Sequence, residues 1–247
     1  MWIDWSPVEN ELRQWRRAGR SPAIWWRDDD TIAPTAALDR LRALAARMGV
    51  PAHIAVIPDL VDDSLTEYVR AESSLIPLVH GWRHENNAPQ GAKKSEFGHP
   101  RPRAKAQITD GLSRLKALFG TDLLPVFVPP WNRIAPEFTP VLAAAGYRGL
   151  STFGERQSAL AAEGVYQINT HIDPIFWRGD RGLVDPSTLV DGIVRTLARQ
   201  RNRGTAEPVG LLTHHLVHTK EVWQFSADCL SVLLDGGAQS FDLRGLI

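Results

Sequence analysis

Four clusters in this sequence combine residue types that can hold a metal ion or move a proton: Arg27-Asp28-Asp29-Asp30, His80-Gly81-Trp82-Arg83-His84, Asn169-Thr170-His171-Ile172-Asp173 and Thr213-His214-His215. Three adjacent carboxylates repel one another unless a cation sits nearby, although Asp is also favoured at turns and helix N-caps. Two histidines four residues apart point the same way if the backbone makes one helical turn, which is how paired imidazoles bind a metal. With a carboxylate from a neighbouring strand they supply three ligands and leave positions open for water and substrate. A divalent ion held this way polarises a carbonyl and acidifies water. A carboxylate can then take the water's proton while a histidine protonates the leaving group.

The clusters sit where apolar runs end. Ala23-Ile24-Trp25-Trp26 reads as a buried strand that stops at the three aspartates. His53–Ile57, Leu75–Val79, residues 125–128, 148–152, 165–170 and 209–213 read as further strands, Pro77 being unfavourable in the third. Between them lie helical patterns at about 38–48, 64–73, up to Gly120, 136–145, 186–201 and 219–235. A first helix runs toward Gly19, with Ser6-Pro7-Val8-Glu9 as its expected capping box. Alternating strands and helices imply parallel strands joined by crossover helices. No Gly-rich phosphate loop follows the first strand, which favours a barrel over a dinucleotide-binding sheet. In a barrel the strand ends converge on one face, so clusters far apart in sequence can share a site.

The 247 residues suffice for one large α/β domain, taken as 1–247, with no internal repeat or low-complexity linker. Lys+Arg and Asp+Glu both number 28, so overall charge gives no reason to expect a nucleic-acid partner, and Arg16-Arg17 reads as a solvated helix face. The lone cysteine, Cys229, cannot form an internal disulfide and reads as a buried apolar residue. No apolar run reaches signal-peptide or membrane-span length, so a cytoplasmic protein is expected.

In their order, Asp29-Asp30, His80-x-x-x-His84, Pro129-Pro130-Trp131, Asp173 with Trp177, and Leu211-Leu212-Thr213-His214 resemble the motifs of the polysaccharide deacetylase family, also called the NodB homology domain. The resemblance spans roughly residues 22–217. It implies a deformed (β/α)7-type barrel with parallel strands and a hydrolase acting on an N-acyl amide, N-acetyl first, of a sugar or related molecule. Carried onto this chain, it makes Asp29 the general base, His214 the acid, and Asp30, His80 and His84 the ligands of one divalent ion. On ligand type that ion is zinc first, with nickel, cobalt, manganese or iron as alternatives. Trp82, Pro130, Trp131, Asp173, Trp177 and His215 are the expected substrate-contacting residues, and the segment 85–97 an expected lid or pocket wall.

Some assignments stay open. Asp28-Asp29 can replace Asp29-Asp30 as the motif pair, and His215 can replace His214. Val128 stands where the family commonly has an Arg that orients the base, leaving Arg27 or Arg133 as substitutes. Phe176 stands where the family often has the Asp that tethers the acid, leaving Asp173. These departures motivate the alternative of a metal-retaining but non-catalytic carbohydrate-binding barrel. A mononuclear iron oxygenase uses similar ligands but mostly an all-β fold, unlike this alternating pattern. His53 is expected inside, and His99 and His218 at the surface or in structural roles.

Overall fold

A computed structural model describes residues 2–204 and 207–247. The elements run α1 (Ser6–Arg17), β1 (Ala23–Thr31), α2 (Ala36–Met48), β2 (Ala52–Val56), α3 (Ser64–Arg70), β3 (Leu75–His80), α4 (Ala104–Phe119), β4 (Val126–Val128), α5 (Thr139–Ala145), β5 (Gly149–Leu150), β6 (Leu160–Ala162), β7 (Val165–Gln167), α6 (Pro186–Arg203), β8 (Val209–Thr213), α7 (Lys220–Asp235) and β9 (Gln239–Ser240). They form one sheet of order β6-β7-β5-β4-β3-β2-β1-β8, with β9 added against β1. Every pairing is parallel except β6–β7.

The ends of the sheet are linked by the segment after β7. His171 and Ile172 both donate to the Gly210 carbonyl, and Leu212 donates back to Ile172. That approach requires a residue without a side chain. A Cβ on Gly210 would lie 2.6 Å from the Asn169 carbonyl oxygen and 2.5 Å from Trp25 Nε1. The result is a deformed, incompletely laddered barrel.

Alternation along the strands sorts the residues. Ile24 and Trp26 of β1, Ile54 of β2 and Leu211 of β8 join the large core beneath the helices. Trp25, Ala55, Ile76, Leu78, Val126 and Val128 form a smaller core on the opposite side, closed by Leu243 near the C-terminus. A strand's side chains alternate between faces, so one face of each strand serves the helices and the other the barrel interior.

Several local expectations need correction. Ser6 does not cap α1 through a capping box: it is the first helical residue, Trp5 is the N-cap, and no side chain caps it. Asp28, Asp29 and Asp30 lie within β1 rather than after it. The strands expected at 148–152 and 165–170 shrink to two and three residues, and the β6 and β9 strands are additions. Cys229 is buried in α7, with its thiol pushed up to about 12 by burial. Among the described residues, no helix is long and apolar enough to cross a membrane.

Candidate active site

The barrel-interior side of β1 carries Trp25, Arg27 and Asp29 in alternation, while Trp26 and Asp28 face the helices. The register of β1 against β2 shifts between Asp28 and Thr31, and Asp30 adopts a left-handed φ of 71°. Such an irregularity re-aims a side chain. Two consecutive aspartates, Asp29 and Asp30, therefore line the same pocket, which a regular strand would not allow. Asp28 is fully buried elsewhere. It accepts bonds from the Thr213 hydroxyl at 2.5 Å, the His215 backbone N–H at 3.0 Å and the His215 ring at 2.5 Å.

His80 ends β3 on the same face as Ile76 and Leu78. The backbone then turns without a helix, through Gly81 at φ 55° and His84 at φ 59°, so the expected helical turn between the two histidines is absent. A Cβ on Gly81 would lie 2.4 Å from a Glu96 carboxylate oxygen and 2.5 Å from the Pro130 ring. One ligand atom from each of Asp30, His80 and His84 lies within 4.8 Å of the other two. His80 bonds through Nδ1 to the Val128 carbonyl at 2.9 Å, and its Nε2 faces Asp30 at 3.1 Å. His84 Nε2 lies 3.3 Å from the same Asp30 oxygen. The donors suit a divalent ion: two imidazoles, one carboxylate, and a backbone bond that leaves the second nitrogen of His80 as the free donor.

The electrostatics agree with a cation-binding site. Burial opposes ionisation of Asp30, but the His80 hydrogen bond and the nearby imidazoles outweigh it, holding the carboxyl well below the usual range. Burial disfavours charge on His80, yet Asp29 and Asp30 raise it overall. On His84, burial and the neighbouring His80 together act downward.

The pocket over these groups holds about 260 Å³ and includes Asp29, Asp30, His80, His84, Trp131, Asn132, Asp173, Trp177 and His214. Of the six non-glycine residues with positive φ among the described residues, four line it: Asp30, His84, Trp131 and Asn132. Such backbone strain clusters at functional sites. Of the expected substrate contacts, Trp131, Asp173 and Trp177 are brought here. Trp82, Pro130 and His215 do not line this pocket. Trp82 is half-buried and packs on the large core, Pro130 is buried against Gly81, and His215 is held on Asp28.

His214 projects into the pocket with Nε2 3.9 Å from Asp29 Oδ2. Its ring meets Trp177 edge-to-face at 4.7 Å. Asp173 does not hydrogen-bond His214, contrary to the expected substitution for the missing tether. Instead it accepts from Trp177 Nε1 at 2.8 Å, and His214 Nδ1 is buried without a partner. Burial raises the Asp173 carboxyl, and the proximity of His214 offsets only part of that.

Where the family's arginine is missing, the Asp29 carboxylate is gripped instead by an arginine from within β1. Arg27 Nε and Nη2 reach the two oxygens of Asp29 at 2.9 and 3.0 Å. The guanidinium is itself fixed by Ser151 at 2.7 Å and Asn132 at 2.6 Å, with no exposed surface. Arg133 lines the pocket but bonds to the Lys94 carbonyl. Two participants lacked a sequence signal. Asn132 follows the Pro-Pro-Trp element and steadies Arg27. Glu96, at the far end of the expected lid, accepts the backbone N–H groups of Trp82, Arg83 and His84 at 3.1, 2.8 and 3.3 Å.

No protein-family model and no curated protein matches the sequence. Solved structures do match. A family 4 carbohydrate esterase from Streptomyces lividans, in complex with acetate, is 14% identical at a TM-score of 0.55, covering 90% of this chain and 93% of that one. A protein from Mycobacterium smegmatis described as a polysaccharide deacetylase is 16% identical at a TM-score of 0.61, covering 92% of each chain. A CE4 family pseudoenzyme from Bacillus anthracis is 13% identical at 0.56, covering 92% of this chain and 65% of that one. At these identities the likeness is one of architecture: the chain has the NodB-type fold of the polysaccharide deacetylases.

Proposed function

We propose that the protein, as one catalytic domain over 1–247, is a metal-dependent hydrolase that removes the N-acetyl group of a sugar or related molecule. The observation that carries this reading is the gathering of Asp30, His80 and His84 donors within 4.8 Å of one another in a pocket that also holds Asp29 and His214. These three would hold one divalent ion, zinc first on ligand type. When bound, such an ion polarises the amide carbonyl and makes water a better nucleophile.

Asp29 is the general base. Arg27 fixes both of its oxygens, so the carboxylate is held in one orientation at the pocket, where it can take a proton from the attacking water. His214 is the general acid: it projects into the pocket near Asp29 and against Trp177, where its ring can protonate a leaving nitrogen. Trp131 and Trp177 supply aromatic walls for a sugar ring, and Asp173 holds the Trp177 indole in place. Asp28, bonded to Thr213 and His215, has no free geometry for base catalysis.

A second reading is a barrel that binds metal and sugar without turnover. The partnerless Nδ1 of His214 favours it, because no carboxylate holds the acid's tautomer. One experiment separates the two. The chain should bind one equivalent of zinc by calorimetry, Asp30→Ala should abolish that binding, and the loaded wild type should release acetate from N-acetylated chitooligosaccharides. Zinc binding with no acetate release across a panel of N-acetylated sugars supports the second reading. Absence of binding to zinc, nickel, cobalt, manganese and iron alike removes both.

A further inference from the structure

The metal-facing pocket is one end of a longer depression. Asn132 and Arg133 line both this pocket and a neighbouring groove of about 770 Å³. The groove follows the C-terminal ends of β5 and β7, at Leu150 and Gln167, and its other wall includes Lys93, Ser95 and Gly98. It lies on the same face as the metal ligands and is continuous with them through two shared residues. It is thus placed to receive the part of a substrate that does not react.

The groove is electrically uneven in a chain whose Lys+Arg and Asp+Glu both number 28. It presents Lys93, Arg133 and Arg156 against one carboxylate, Glu155. That carboxylate is already engaged by Arg199 and Arg203. Neither Lys93 nor Arg133 enters an ion pair among the described residues, and Arg133 donates instead to a backbone carbonyl. Arg156 lies 3.9 Å from Glu207 and donates to the Gln167 carbonyl, leaving part of its fork uncommitted. Ser95, 1% exposed, has a hydroxyl with no partner on the groove wall. Unpaired cations and a spare hydroxyl lining a concave surface concentrate and orient anions. A neutral polysaccharide could accept hydrogen bonds from them but would leave their charge uncompensated.

We propose that this groove selects a substrate bearing an anionic group, a phosphate or a carboxylate, on the part that stays behind after deacylation, held by Lys93, Arg133 and Arg156. The proposal rests on the reading of the Asp30–His80–His84 centre as a deacetylase site.

The test measures binding apart from turnover. Zinc-loaded Asp29→Asn protein is titrated by calorimetry with N-acetylglucosamine, its 1-phosphate, its 6-phosphate and N-acetylmuramic acid. At least one anionic ligand should bind about 10-fold or more tightly than the neutral sugar at low ionic strength, and the advantage should shrink in about 0.5 M sodium chloride. Which ligand gains distinguishes phosphate from carboxylate. Adding Lys93→Glu and Arg156→Gln to the same protein should remove the advantage with zinc content unchanged. Equal affinity for all four ligands would overturn the proposal. So would an advantage that survives the groove substitutions, since the anion would then sit on the metal. Wild-type acetate release is followed in parallel with the same ligands: none from any of them sinks the deacetylase reading, whereas release with no anion preference sinks only the groove assignment.

Discussion

Asp29 and Asp30 are neighbours in sequence and yet face one pocket, and the cause is the left-handed backbone at Asp30. The turn that begins at Thr31-Ile32-Ala33-Pro34 favours Asp29-Asp30 as the motif pair, but the residues alone leave Asp28-Asp29 open, because a bulge leaves no compositional mark. His214 and His215 present the same difficulty. Just past the end of β8, the extended residue His214 projects into the pocket, while His215 begins a 3-10 turn and is held on Asp28. The two should therefore differ in function. His214→Ala should slow hydrolysis of amides, whose amine leaves poorly without a proton, by about 10²–10⁴-fold, and affect activated esters much less. His215→Ala should instead lower thermal stability, because it leaves the buried Asp28 carboxylate short of a partner, and show no dependence on leaving group. Equal losses from both substitutions on amides and esters would assign the proton to another donor.

Elements explain what single residues cannot. The length of segment 85–97 led to an expected lid or pocket wall, but none of its residues lines the pocket over Asp30, His80 and His84. Its end returns Glu96 beneath the turn that carries His84, where one buried carboxylate collects three consecutive backbone N–H groups. Burial raises the Glu96 carboxyl, and these bonds oppose that rise. This loop-to-turn contact has a long sequence separation and no motif, so only the folded chain reveals it. Glu96→Ala should weaken zinc binding by about 10–100-fold, the usual scale for groups that support a metal ligand, while Glu85→Ala on the exposed part of the loop should leave it unchanged. Unaltered zinc affinity in Glu96→Ala would mean that the turn holds His84 unaided. The strands behaved similarly: Leu75–Val79 was readable despite Pro77 and β5 and β7 were legible but read too long, whereas the short β6 and β9 owe their pairing to neighbours and carry little signal of their own.

At the scale of the whole molecule, the alternation of helices and strands made the barrel legible, but not its irregular closure. That depends on Gly210, where two backbones meet more closely than any side chain allows. The interior also holds a titratable group that serves packing. His53 is fully buried, bonds through Nδ1 to the Trp26 carbonyl, and accepts from the Leu243 N–H at Nε2. Burial pushes it down to about 4. Both nitrogens are committed in the neutral ring, so protonation would set a new N–H against that of Leu243. A lowered histidine contributes stability that is complete above its unfolded value, near 6.5, and is lost as pH falls through about 4, a change on the order of 3 kcal/mol. Urea unfolding should therefore show stability dropping from pH 6.5 to 4, with a shallower drop in His53→Gln; the same slope in both proteins would contradict this role. The barrel's larger consequence is that it brings Asp29 and Asp30 of β1 into one pocket with His80 of β3, His84 beyond it and His214 after β8. Acetate release from an N-acetylated chitooligosaccharide, compared between zinc-loaded wild type and Asp29→Asn, tests that arrangement most directly. The expected result is a loss of about 10²–10⁴-fold with one zinc retained per chain; an Asp29→Asn protein that keeps both its zinc and its wild-type rate would contradict it.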